Sequence, residues 1–199
     1  MSTTINYNES DLWSSFVNGD KEAFSHFYKH NYQRLYSYAI SLGMDEEQVR
    51  DIIQELFIKL YMKPQLIREV STIRSFLFVS IKNAFINQIN FKRKHVNYEY
   101  IENFELSYCV ENTKLEDEEE VKRIKDKVDE IISCLTPRQK EIIYLRFLQQ
   151  MEYDEIAQIM DMSEQAARNL IYRAMEKARK NNTDFTFFLF TLFLLTNLD

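Results

Sequence analysis

From Ala23 to Ile40 the apolar positions Phe24, Phe27, Tyr28, Tyr32, Leu35, Tyr36, Ala39 and Ile40 recur every three or four residues, the spacing that lines one face of a helix. A second stripe, Val49, Ile52, Ile53, Leu56, Phe57, Leu60 and Tyr61, follows Asp45-Glu46-Glu47 and stops at Pro64. Carboxylates suit a first helical turn because they meet the positive end of the helix dipole, so this is the start and stop of a second helix. A third stripe, Phe76, Leu77, Ile81, Ala84, Phe85 and Ile89, can be capped by Ser71 or Thr72 and ends in the basic cluster Lys92-Arg93-Lys94-His95. Residues 96–120 lose this periodicity and are rich in Asn and Glu, which predicts a solvated linker. Periodicity returns with Val121, Ile124, Val128, Ile131 and Ile132, and Thr136-Pro137-Arg138-Gln139 then opens a further helix. There Thr caps, Pro takes the first helical position, and Gln139 can close a capping box. With two Gly and two Pro in 199 residues, the predicted fold is all-α. Two small helical domains, 8–95 and 121–181, are joined by an acidic linker at 96–120 and followed by an apolar tail at 182–199.

Composition changes this picture in one respect. An apolar share of 45%, with 15 Phe and 12 Tyr, is enough for real cores. The net charge of -6, however, looks wrong for a chain that binds nucleic acid, where Lys and Arg must neutralise phosphates. The charge is unevenly spread. Residues 99–120 hold nine acidic residues against Lys114, a net of -8, so the remainder carries +2. That asymmetry suggests modules with separate partners. Cys109 and Cys134 lie 25 residues apart with no Cys or His at metal-ligand spacing, which implies neither a zinc site nor a disulfide framework. The opening MSTTINYNES has neither the basic nor the apolar region of a secretory signal, so a cytoplasmic location is expected.

The strongest local pattern runs from Tyr153 to Leu170. It reads as a helix-turn-helix: Ala157 is small where two helices cross, and Ile156, Met160, Met162, Ala167 and Leu170 close the angle between them. Asp161 stands at the turn, where a left-handed backbone usually calls for Gly and where Asp is among the better-tolerated substitutes. Ser163 can cap the second helix, whose outer face would carry Arg168, Asn169, Tyr172 and Arg173, extended by Lys177, Arg179 and Lys180. Arg pairs bidentately with guanine edges or phosphates and Asn suits adenine or backbone, which is the chemistry of a major-groove reader. Taken alone, the same pattern also describes a helical hairpin with a solvated basic face.

Two further segments carry a resemblance. Asp51-Ile52-Ile53-Gln54-Glu55-Leu56-Phe57-Ile58-Lys59-Leu60-Tyr61 and Leu135-Thr136-Pro137-Arg138-Gln139-Lys140-Glu141, the latter followed by the helix-turn-helix, resemble regions 2.2 and 4 of the extracytoplasmic-function (ECF) sigma factors of the sigma-70 family. Phe76 to Gln88 is similar to the helix that reads and opens the minus-10 element. The resemblance covers roughly residues 10–180 and implies a sigma factor that binds core RNA polymerase, through its beta and beta-prime subunits, and promoter DNA. It assigns core binding to Asp51, Gln54, Glu55, Phe57 and Lys59. It assigns minus-10 contacts to Ser71, Thr72, Arg74, Asn83, Asn87, Gln88, Lys92, Arg93 and Lys94, with the segment Glu69 to Ser75 holding an extruded base. Minus-35 contacts fall to Gln165, Arg168, Asn169, Tyr172, Arg173 and Lys177. The chain departs from the family in Phe76, where Trp is common, and in Ala166 and Leu170, where Thr and Arg are common. An anti-sigma factor or another regulator is a further implied partner, and the acidic linker could follow the polymerase's RNA exit path.

The tail Phe185 to Leu198 is dense in Phe and Leu but spans 14 residues, short of the roughly 20 that cross a bilayer, so no stable membrane span is expected. It has three destinations: packing on the second domain, docking to a regulator, or resting on a membrane surface. Catalysis has no visible machinery. There is no Gly-rich phosphate loop, and His26, His30 and His95 have no nucleophile motif near them. His26 and His30, one turn apart, lack the zinc pattern, and no cofactor is called for. The alternative to a sigma factor is a helix-turn-helix regulator that binds DNA without joining polymerase.

Overall fold

The computed structural model describes residues 9–67, 73–93, 104–105, 130–131 and 133–181, with the side chains of residues 91–93 and 181 outside that description. Among the described residues every regular element is helical. The N-terminal half holds α1 (Glu9–Val17), α2 (Lys21–Ser41), α3 (Glu46–Met62) and α4 (Ile73–Arg93). The C-terminal half holds α5 (Pro137–Ile143), α6 (Tyr153–Ile159) and α7 (Glu164–Asn181). The expected caps Ser71 and Thr72, the apolar positions Val121, Ile124, Val128 and Ile132, Cys109 and the tail 182–199 lie outside the described residues.

The helix boundaries follow from side chains that satisfy exposed backbone N–H groups. Asp20 accepts from the amides of Glu22 and Ala23 at 2.9 and 3.2 Å, and Asp45 accepts from that of Gln48 at 2.9 Å. Pro64 begins a single 3-10 turn immediately after α3. The capping box at α5 is complete: the Gln139 amide donates to Thr136 Oγ1 at 3.3 Å and the Thr136 amide to Gln139 Oε1 at 3.0 Å. After α5 the chain widens into a π turn, Tyr144–Leu148, in which the Gln149 amide reaches back five residues to the Tyr144 carbonyl at 3.0 Å.

The N-terminal half packs around an aromatic cluster. Trp13 lies 5.1 Å from Phe27, and Phe24 and Phe27 meet Phe57 in edge-on contacts at 6.1 and 6.0 Å. Trp13 and Phe16 come from α1, a nine-residue helix too short for its periodicity to stand out in the sequence. In the C-terminal half α7 lays Ala167, Ile171, Ala174 and Ala178 against α5 and α6, and its small side chains allow the close approach.

The two halves touch. Tyr38 of α2 stacks on Tyr144 of the π turn at 6.0 Å and 17°, and Phe104 packs on both rings at 6.3 and 5.6 Å. Phe104 belongs to the stretch expected to be solvated throughout, yet it is 1% exposed, and the neighbouring Glu105 amide donates to the Ser41 carbonyl at 3.0 Å. One large aromatic ring offers enough apolar area to dock while the adjacent Glu105 stays exposed.

Glu9 ties α1 to α2 by accepting from Arg34 Nη1 at 2.8 Å and from His30 Nε2 at 3.2 Å. Burial pushes its carboxyl up, but the His30 hydrogen bond and the Arg34 charge outweigh burial and hold it below the ordinary value of 4.5. The stabilisation from a depressed carboxyl is present above its unfolded value and is lost as pH falls through the native one. Glu9→Gln should therefore cost about 1 kcal/mol at pH 7, and the difference from the parent protein should shrink as pH falls through the lowered native value of the Glu9 carboxyl. Thermal melts of both proteins at pH 7 and over a series of falling pH values check this.

Candidate nucleic-acid interface

Helices α6 and α7 form the helix-turn-helix read from the sequence. Ile156, Ala157, Ile159 and Met160 of the first helix are buried against Ala167 and Ile171 of the second, while Met162 and Leu170 sit half-buried at the edge of the crossing. The turn is a Schellman motif: the Met162 amide donates to the Ala157 carbonyl at 3.0 Å and the Asp161 amide to that of Gln158 at 3.5 Å. Asp161 adopts φ 49, the left-handed conformation expected there. Ser163 caps the second helix by accepting from the Ala166 amide at 3.2 Å.

All six expected minus-35 residues, Gln165, Arg168, Asn169, Tyr172, Arg173 and Lys177, are exposed along α7. Several are held before any ligand arrives. The Arg168 guanidinium lies 4.1 Å over the Tyr153 ring and 3.2 Å from Glu164, and Gln165 Nε2 donates to Asn169 Oδ1 at 3.1 Å. Tyr153 also receives Arg146 at 4.8 Å, and Arg146 Nη1 donates to the Met151 carbonyl at 2.6 Å. Tyr153 therefore couples the start of α6 to the exposed face of α7, a contact not foreseen from the sequence. The available signal was an aromatic residue one helix away from a cluster of arginines.

The second expected surface is α4. Asn87 is exposed, Asn83 and Gln88 are half-buried, and the side chains of Lys92 and Arg93, with Ser71, Thr72 and Lys94, lie outside the described residues. Arg74 differs from expectation. Its Nε and Nη2 donate to Glu155 Oε1 and Oε2 of α6 at 3.1 and 2.7 Å, and its Nη1 and Nη2 lie 3.4 Å from the Gln149 and Gln150 carbonyls. Burial lowers the guanidinium's proton affinity, but the Glu155 hydrogen bonds and charge outweigh it, so Arg74 stays charged and engaged. The adjacent Ser75 Oγ donates to Gln158 Oε1 at 2.7 Å.

The same face of α4 carries a buried charge. Lys82, 3% exposed, donates to Glu141 Oε1 of α5 at 2.7 Å, and Glu141 is 1% exposed. The Tyr38 hydroxyl donates to the same oxygen at 2.7 Å, and burial first, then the Glu141 charge, pushes the Tyr38 hydroxyl pKa well above its usual value. Neither charge was foreseen: Ser75, Phe78 and Lys82 form a second buried face of α4, beside the Leu77, Ile81 and Phe85 stripe that the periodicity showed.

The third surface is α3. Asp51, Gln54, Glu55 and Lys59 are exposed, as expected of a polar docking face. Phe57, at 3% exposed, belongs to the aromatic core and also lines the floor of a groove. That groove, about 260 Å³, is lined by Phe24, Tyr28, Gln54, Phe57, Ile58, Tyr61 and Met62. Ile58 and Met62 are exposed apolar residues that fall outside the core stripe, and that break in register was the readable signal for them. Among the described residues no three His, Cys, Asp or Glu side chains gather to hold a metal, and no helix is long and apolar enough to cross a membrane.

If Tyr153 holds Arg168 through its ring, Tyr153→Leu should weaken duplex DNA binding about 2–5-fold and Tyr153→Phe should preserve it. Fluorescence anisotropy of the three proteins on one labelled duplex at fixed salt measures this. An equal loss in both variants would remove the ring from the explanation.

Comparison with known proteins identifies the family of the chain. Residues 27–95 match the family model for Sigma-70 region 2, and residues 125–177 match that for Sigma-70, region 4, together more than half of the chain. The RNA polymerase sigma factor YlaC of Bacillus subtilis (strain 168) is 24% identical over 165 residues, which covers 82% of this chain and 94% of YlaC. The ECF RNA polymerase sigma factor SigM of the same organism is 25% identical over 145 residues, covering 73% and 86%. Among solved structures, CnrH in complex with the cytosolic domain of CnrY is similar in fold, with a TM-score of 0.56 at 18% identity over 86% of this chain and 95% of CnrH.

Proposed function

Since the chain belongs to the sigma-70 family of RNA polymerase sigma factors, in its ECF branch, we propose how its surfaces divide the work of initiation. It is a sigma factor that directs transcription from a specific set of promoters. The observation that carries the assignment of tasks is the outward face of α7, where six polar or aromatic side chains stand exposed on a capped helix-turn-helix with Arg168 already stacked in place. That face enters the major groove of the minus-35 element. Arg168 and Arg173 supply guanine or phosphate contacts, Asn169 and Gln165 supply amides, and Tyr172 supplies an apolar edge.

Core polymerase is gripped through α3. Asp51, Gln54, Glu55 and Lys59 make the charged rim, and Ile58 and Met62 add the apolar centre that a stable protein interface needs. The surface meets the beta-prime subunit. Asn83, Asn87 and Gln88 on α4 face the minus-10 strand, where opening costs unstacking energy that amide contacts and pockets for extruded bases return. A protein regulator is a second partner. CnrH was solved with the cytosolic domain of CnrY, and the apolar groove between α2 and α3 offers such a partner a place to lie. We assign the chain no reaction of its own and a location in the cytoplasm with the polymerase.

In vitro transcription from a promoter library, with core RNA polymerase alone and with the chain added, tests this. New start sites that share two motifs at a fixed spacing are expected. Arg168→Ala should lower output from those starts about 5–100-fold, the range set by loss of one bidentate base contact. No new starts, together with no binding to core enzyme, would end the reading.

A further inference from the structure

Gln165 and Asn169 lie one turn apart on the exposed face of α7, and Gln165 Nε2 donates to Asn169 Oδ1 at 3.1 Å. The bond uses the amino end of one amide and the carbonyl end of the other. Gln165 Oε1 and Asn169 Nδ2 remain, an acceptor beside a donor. Two amides bonded to each other always leave that same set, whichever of them donates. The pair is therefore one recognition group with a fixed hydrogen-bonding sense.

Its place on the helix suits a base edge. Ser163 caps α7, so Gln165 stands in the first turn and Asn169 in the second, at the end of a recognition helix that meets the bases. The neighbouring arginines are tied elsewhere: Arg168 to the Tyr153 ring and Glu164, and Arg173 Nε to the Asn169 carbonyl at 3.3 Å. At this end of the helix the centre of the exposed face is thus neutral and carries the amides.

In the major groove adenine presents N7 as an acceptor and its N6 amino group as a donor, guanine presents two acceptors, cytosine one donor, and thymine one acceptor with a methyl group. Adenine alone satisfies both outward groups from a single base. Guanine would set an acceptor against the remaining carbonyl. Unlinked, each amide could turn its amino group toward guanine; the mutual bond stops both from doing so at once. We propose that the Gln165–Asn169 pair is an adenine reader, in which Asn169 Nδ2 donates to N7 and Gln165 Oε1 accepts from the N6 amino group of one adenine in the minus-35 element. An A·T pair at that position then helps to decide which promoters the chain selects. This rests on the minus-35 role given to α7 above and adds the base that two of its residues select.

Promoters selected from a library by holoenzyme, core polymerase with the chain bound, supply the minus-35 element. Each base pair in it is then changed, and competition binding of holoenzyme at fixed salt scores the effect. One A·T pair should lose about 5–100-fold in affinity on change to G·C. At that position 7-deazaadenine removes N7 alone and nebularine removes the amino group alone, and each should cost the parent holoenzyme about 2–10-fold, the worth of one hydrogen bond. Asn169→Ala and Gln165→Ala, exposed changes to a good helix former, should each erase the preference at that one position and keep it at the others. Circular dichroism checks that both variants stay helical.

Full affinity of the parent holoenzyme for the 7-deazaadenine promoter overturns the proposal without recourse to any variant. So does a base preference left intact in both folded variants, a preference erased at a G·C pair instead, or a minus-35 element with no adenine requirement. If no start site depends on the chain, the sigma reading fails. Sites selected from random duplexes by the chain alone then put the same question to the pair, because a regulator would read through the same face.

Discussion

The carboxylate of Glu141 sits out of reach of water and is satisfied by two groups from the opposite half of the chain, the Lys82 ammonium and the Tyr38 hydroxyl. A buried carboxylate cannot be left without donors, so the position of α5 is constrained by α2 and α4. Once α5 is placed, the π turn after it brings Tyr144 onto Tyr38, and α6 falls where Glu155 meets Arg74 and Gln158 meets Ser75. The same arrangement leaves the polar faces of α7 and α3 exposed. One ionic centre thus sets which surfaces of the molecule are available and which is covered.

An acidic chain can bind DNA because its charge is segregated. The strongly negative stretch separates the two halves in sequence, and the residues that would meet phosphate belong to helices outside it, with Arg168 already paired. Arg168, held against Tyr153 and Glu164, gives up less side-chain freedom on binding than a free arginine would. On α3 the arrangement is different: polar residues surround exposed apolar ones beside an aromatic groove, which is the composition of a protein-facing surface.

Much of this was legible along the chain, and the reason is locality. The stripes of α2, α3 and α4, the capping box at Thr136, the Ser163 cap and the left-handed Asp161 are all set by residues within a turn or two of one another. The exposed residues of α7 follow from the same periodicity. What escaped depends on contacts between distant segments. Lys82 and Glu141 are 59 residues apart, and each taken alone looks like a solvated charge on an amphipathic helix. The engagement of Arg74 with Glu155 of α6 and the place of Phe57 in the aromatic cluster likewise depend on segments far apart in the sequence. Phe104 was hidden by the acidity of its neighbours. The resemblance to sigma factors named the surfaces, but it carried no information on how this chain packs one half against the other.

The central claim is that one chain presents two DNA-reading faces to one promoter. Site-specific photocross-linking of holoenzyme tests it most directly, with p-benzoylphenylalanine at Asn87 in one protein and at Tyr172 in another, on a promoter the chain activates. The account predicts that the α4 probe joins the non-template strand within the minus-10 element and that the α7 probe joins duplex DNA within the minus-35 element. Cross-links from both positions to a single element, or an α4 probe that reaches no DNA in the open complex, would contradict it.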